Sequence, residues 1–208
     1  MNKLILCEGA TDAILLSYYL ERMAGWEFVR KPPQGVSIRE TEQNEKVTWY
    51  KKNNDYLLIC AVGGKDNFGK FFNDKIQKPL VMSDAFEKIA IVTDRDNREV
   101  SAIETEAATF LKVPCGIIKN NQWNDCSYTN EFGMEKSFST LLVVIPHEQQ
   151  GTLETAMLAQ FGSESTEHFR VIMTALTGAG VSCIVVGMAV FVIVRSGVLI
   201  KRNTEDGK

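Results

Sequence analysis

Three times in its first half the chain runs from a short apolar stretch into a polar turn and then into an amphipathic segment. That alternation limits the folds open to it. Leu4 to Cys7 ends in Glu8-Gly9, and apolar positions at helical spacing follow from Thr11 to Met23. Tyr56 to Val62 ends in Gly63-Gly64 and leads into Asn67 to Ile76, with Phe68, Phe71 and Phe72. Lys88 to Thr93 ends in Asp94-Arg95-Asp96 and leads into Ser101 to Leu111. Strand and helix alternating in this way predict an α/β fold, with a mostly parallel central sheet flanked by helices.

Between the first two units the pattern dissolves into Pro32-Pro33-Gln34-Gly35 and a stretch of mixed charge, so residues 25–55 read as a surface insertion. Later signals are weaker. Gly116 to Lys119 and Leu141 to Ile145 suggest strands, and a helix opens at Gly151-Thr152-Leu153-Glu154 and continues through Phe161. The domain is expected over 1–162, with 163–208 an apolar C-terminal segment. Val171 to Val194 is a run of 24 residues without a charge, long enough for a membrane span of about 20 residues. Against a span, the region is rich in Val and Ile and interrupted by Gly178, Gly180, Gly187 and Gly197. Arg195, Lys201 and Arg202 follow the run, which would leave the main domain outside the cytoplasm. A span, a buried core segment and a tail foreign to the domain stay open, and membrane contact is expected only if 171–194 spans.

With 23 basic and 26 acidic residues the net charge is -3, so any polyanion must be met by a local patch or through metal ions. Five cysteines without a CxxC pair argue against a disulfide framework and against structural zinc. The N-terminus lacks the pattern of a signal peptide. Together these point to a reducing, cytoplasmic compartment.

Acidic residues stand where open α/β sheets place functional groups, at or just past the carboxyl ends of strands. Glu8 follows the first strand, Asp94 and Asp96 follow the third, and Asp12 lies one helical turn beyond Glu8. Carboxylates sharing one small site need a cation, and hard oxygen ligands suit Mg²⁺ or Mn²⁺. In an extended Asp-x-Asp both carboxylates point the same way, so one metal could lie between Asp94 and Asp96. The plainer alternatives are a polar turn with an Asp as N-cap, and for Glu8 a favourable charge at a helix start. Lys65, after two glycines, could approach a phosphate oxygen as a point charge or simply be a solvated lysine. Glu154 reads as a helix-start charge beside a capping Thr152.

Leu4-Ile5-Leu6-Cys7-Glu8-Gly9-Ala10-Thr11-Asp12, followed by Ile89-Ala90-Ile91-Val92-Thr93-Asp94-Arg95-Asp96, resembles the topoisomerase-primase (TOPRIM) domain. Asp12 and Val62-Gly63-Gly64-Lys65-Asp66-Asn67-Phe68 make the resemblance closer to OLD-family nucleases and their small stand-alone relatives than to topoisomerases. The resemblance covers about residues 1–160 and implies a Rossmann-like fold with catalytic magnesium on Glu8, Asp94 and Asp96. It further implies a nuclease acting on nucleic-acid phosphodiesters, DNA being favoured over RNA, and Glu154, in a stretch that resembles the one closing this domain in the stand-alone relatives, as a further metal or water ligand. The ATPase domain of full OLD nucleases has no counterpart here, so energy coupling would need an ATPase or other protein partner; a homodimer is also compatible. The alternative is a non-catalytic accessory module that holds a metal and nucleic acid.

Rival chemistries lack their residues. Gly63-Gly64-Lys65-Asp66 does not have the spacing of a nucleotide-binding phosphate loop. His147 and His168, the two histidines, form no metal motif. Cys7 beside Glu8 in a buried strand is expected to be a core thiol. Residues Arg30 to Lys52, whose basic side chains surround Trp49 and Tyr50, are the best candidate for contact with single strands, although a solvated loop is the simpler expectation.

Overall fold

The computed structural model describes residues 2–111, 118–146 and 150–152. Seven strands form one sheet: β1 (Asn2–Cys7), β2 (Glu27–Val29), β3 (Lys46–Lys52), β4 (Asp55–Ala61), β5 (Lys88–Asp94), β6 (Trp123–Thr129) and β7 (Glu135–Ile145). Their order across the sheet is β2-β3-β4-β1-β5-β7-β6. The pairs β4–β1, β1–β5 and β5–β7 are parallel, and β2–β3, β3–β4 and β6–β7 are antiparallel.

The mostly parallel, Rossmann-like sheet expected from the sequence is therefore corrected to a mixed one, with three parallel and three antiparallel pairings. The apolar runs marked the parallel centre, whose strands are buried on both faces. The outer strands bury fewer positions and give no such run; β6, for example, buries just Cys126 and Tyr128. Residues 25–55 are likewise more than a surface excursion. They supply β2 and β3, and they bury Trp26, Val36, Ile38, Trp49 and Tyr50. Trp49 and Tyr50, at 5% and 4% exposure, are core residues and offer no platform for a nucleobase.

Helix α1 (Ala10–Ala24) covers one face of the sheet. Its Ala13, Leu16 and Leu20 pack on Ile5, Cys7, Ile59, Val92 and Val143. The other face is covered by a helical segment over 65–83 and by α4 (Val100–Phe110). That segment begins with a 3-10 turn (Lys65–Asn67), continues through α2 (Phe68–Phe71) and a π-helical turn (Phe72–Ile76), and ends in α3 (Gln77–Ser83). Phe68, Phe71, Phe72, Ile76 and Leu80 pack there on Leu4, Leu6, Leu58, Ile89 and Ile91. Successive β1 residues thus feed opposite cores, as strand alternation requires.

Among the described residues no helix is long and apolar enough to cross a membrane. The run 171–194, the helix expected from Gly151 onward, both histidines and most of the Gly116 to Lys119 stretch lie outside those residues. Cys7 and Cys60 are free thiols, while Cys126 is disulfide-bonded.

Candidate functional site at the carboxyl edge of the sheet

The parallel register sets Cys7 opposite both Ala61 and Val92, so the turns after β4, β1 and β5 open side by side at one edge. The turn after β4 wraps the end of β1. The amides of Gly63 and Gly64 both donate to the Glu8 carbonyl, at 3.0 and 2.9 Å. This wrap needs positive φ at both glycines, +82° and +126°, and a Cβ on Gly63 would lie 3.2 Å from the Cβ of Asn44.

Glu8 turns toward β5. Its Oε1 accepts the Thr93 hydroxyl at 2.5 Å and the Asp94 amide at 2.9 Å. Thr93 is a buried polar residue whose hydroxyl fixes the direction of the carboxylate. Sequence reading missed this residue, which there looked like the last member of an apolar strand. From the other side Lys65 Nζ donates to Asp96 Oδ2 at 2.6 Å. The hydrogen bond to Asp96, the charge of Asp96 and that of Glu8 raise the lysine pKa above its ordinary value.

Asp94 and Asp96 do not lie on one extended strand. β5 ends at Asp94, and Asp96 has φ +51°, a left-handed conformation. Its backbone is pinned by Gly151, with Asp96 N donating to Gly151 O at 2.7 Å and Gly151 N to Asp96 O at 3.0 Å. The alternation invoked for Asp-x-Asp therefore stops before its second acid. Asp12, considered above as a metal ligand, sits at the start of α1. Its Oδ2 accepts the Gly9 amide at 2.8 Å, half of a capping box. Burial first, then the charges of Asp12, Cys60 and Glu8, pushes the Cys7 thiol up, and Cys7 is a core residue as expected. Glu154 lies outside the described residues.

The structure thus gathers Glu8, Thr93, Asp94, Lys65 and Asp96 at one edge. Among the described residues no three His, Cys, Asp or Glu side chains come close enough together to hold a metal ion. The cation found at the acidic edge is the Lys65 ammonium.

Beside the Gly63 turn lies a groove of about 520 Å³. One wall is the loop 41–45 and the other is the helical segment with its π-helical turn. Two ion pairs tie the walls. Glu45 and Lys75 pair at the base, with side chains 6% and 12% exposed, and Glu42 and Lys70 pair at the mouth, where both are exposed. Burial alone would push the Glu45 carboxyl up. The hydrogen bond from Lys75, those from the Thr41 and Glu42 amides and the Lys75 charge outweigh that and hold it below its usual range.

No protein-family model and no curated protein sequence matches the chain. Solved structures do, among them the following three. Lactoylglutathione lyase from Agrobacterium tumefaciens is 13% identical over 67% of this chain and 92% of its own, with a TM-score of 0.22. The fosfomycin resistance protein FosX from Listeria monocytogenes, complexed with Mn(II) and sulfate, is 14% identical over 77% and 96%, with a TM-score of 0.18. Scores this low assign no fold. The third, the hypothetical protein PH0156 from Pyrococcus horikoshii OT3, is 17% identical over 98% of this chain and 91% of its own, with a TM-score of 0.55. The expected topoisomerase-primase membership is corrected accordingly: no family model and no curated relative assigns the chain to that family. What the chain shares with the Pyrococcus protein is the fold.

Proposed function

We propose that the carboxyl edge of β1 and β5 is a divalent-cation-dependent site for hydrolysis of phosphodiesters in nucleic acid. The observation that carries this reading is the Lys65 ammonium, held at 2.6 Å on Asp96 among Glu8, Thr93 and Asp94. It is a cation held beside carboxylates at the strand ends where open α/β sheets bind ligands. Glu8, Asp94 and Asp96 do not stand close enough together here to hold an ion, so Mg²⁺ or Mn²⁺ would have to draw them together, releasing Asp96 from Lys65 and freeing Lys65 for the phosphate.

When bound, the ion would polarise a phosphoryl oxygen and lower the pKa of a water. The chain's own groups do the rest. Thr93 and the Asp94 amide fix Glu8 through one oxygen. Lys65, on a turn anchored by two glycine amides, supplies a point charge to a non-bridging phosphate oxygen. Glu8 is also placed to accept a proton from the attacking water. The Lys65–Asp96 pair favours a second reading, in which the edge stays closed to a metal and the protein binds nucleic acid without cleaving it.

The test is cleavage of supercoiled plasmid and labelled single-stranded DNA and RNA with Mg²⁺ or Mn²⁺, comparing wild type with the E8A/D96A double variant, alongside Mn²⁺ binding by calorimetry. Cleavage and Mn²⁺ binding, both lost in the variant, are expected. Binding of nucleic acid in the wild type with neither cleavage nor Mn²⁺ binding would select the second reading.

A further inference from the structure

We propose that the groove between loop 41–45 and the helical segment 65–76 receives the base and sugar of a nucleotide flanking the phosphodiester, and reads the base through Gln43 and Asn44. This rests on the reading of the neighbouring edge as a phosphodiester site.

Position is the first argument. Gly63 lines the groove, and its amide donates to the Glu8 carbonyl at 3.0 Å, so the groove begins within one residue of the acidic edge. Size is the second, because about 520 Å³ lies within the roughly 300–1,000 Å³ of small-ligand sites.

Charge decides which part of a nucleotide fits. The groove carries Lys70 and Lys75 against Glu42, Glu45 and Asp74, and both lysines are already paired with glutamates. A phosphate would meet net negative charge there, whereas a neutral heterocycle would not. Val62 and Phe71 line the floor but are buried, with the Lys75 ammonium over the Phe71 ring, so contact with the heterocycle falls to the exposed loop. Gln43 and Asn44 on the exposed loop carry carboxamides, each with a donor and an acceptor suited to a base edge. The wall that carries Asp74 and Lys75 is a π-helical turn, a geometry often found at functional sites.

The loop has a fixed seat. Glu45 accepts the amides of Thr41 and Glu42 at 2.7 and 3.0 Å and pairs with Lys75, so the residues that would read the base are held before a ligand arrives. The exposed Glu42–Lys70 pair at the mouth is a weak closure and yields readily to a ligand.

The probes are fluorescein-labelled decamers of dA, dC and dT, titrated into the full chain by anisotropy in Ca²⁺, with Mg²⁺-dependent cleavage followed in parallel. Wild type is expected to prefer one decamer by at least about fivefold, as one or two base-edge hydrogen bonds allow. In the Q43A/N44A variant that preference should collapse to within twofold, with the melting temperature unchanged because both side chains are exposed. Equal wild-type affinities, no wild-type binding, or a preference untouched in Q43A/N44A would each overturn the inference. Cleavage reports separately on the edge itself: persistence of E8A/D96A-sensitive cleavage with an unchanged base preference would overturn the groove reading and leave the hydrolytic one standing.

Discussion

Thr93 acts through one hydroxyl on one oxygen of Glu8, so its effect can be isolated. Thr93→Val should lower kcat/KM for phosphodiester cleavage about 10- to 150-fold, since a hydrogen bond to a charged group contributes about 1.5–3 kcal/mol. Thr93→Ser should recover most of that loss, and steady-state kinetics on the three proteins checks both. At this scale the sequence was partly legible. Glu8, Asp94, Asp96 and Lys65 stand out because charge at the end of an apolar strand is locally visible. Thr93 was hidden by looking like one more strand residue, and the hydrogen bond that Asp12 accepts from the Gly9 amide at 2.8 Å gave no sign in the sequence. The left-handed turn at Asp96 depends on Gly151, which is far away along the chain.

Among the elements, the turns differ in what they tolerate. Gly25 closes α1 at φ +66° with nothing within 4 Å of an added Cβ, whereas Gly63 combines φ +82° with Asn44 at 3.2 Å. Gly25→Ala should therefore cost about 1 kcal/mol of conformational strain alone. Gly63→Ala should cost more, about 2–3 kcal/mol, because strain and a close contact add. Urea unfolding of both variants checks the order. The strands follow a similar logic of legibility. β1, β4 and β5 announce themselves because burial on both faces demands unbroken apolar runs. β7 was visible over its last five residues, Leu141 to Ile145, where it enters the core, and its paired first half was not. β3 buries just Trp49 and Tyr50, and its assignment depends on the neighbour it pairs with rather than on its own composition.

For the whole molecule, the Glu45–Lys75 pair joins the segment before β3 to the helical layer between β4 and β5, so it couples parts far apart in the chain. The folded carboxyl titrates below its ordinary value of 4.5. Its contribution to stability is therefore present above that value and is lost as the pH falls through the lower folded one. Glu45→Gln should cost about 3 kcal/mol at neutral pH, as breaking a buried pair does. The variant should also lose less stability than wild type between neutral pH and the acid limb, and thermal melts across that range measure both effects. A link of this kind is invisible to local pattern reading, which is why 25–55 looked detachable. The same holds for Gly151. Its backbone clamps Asp96 in both directions at φ +147°, a conformation natural to glycine. A signature assembled from acids alone would thus be incomplete. Chains that keep this geometry should be recognised by a glycine far downstream of Asp-x-Asp as much as by the acids themselves, and a fragment ending at β7 would keep the strands and lose the clamp on the second aspartate.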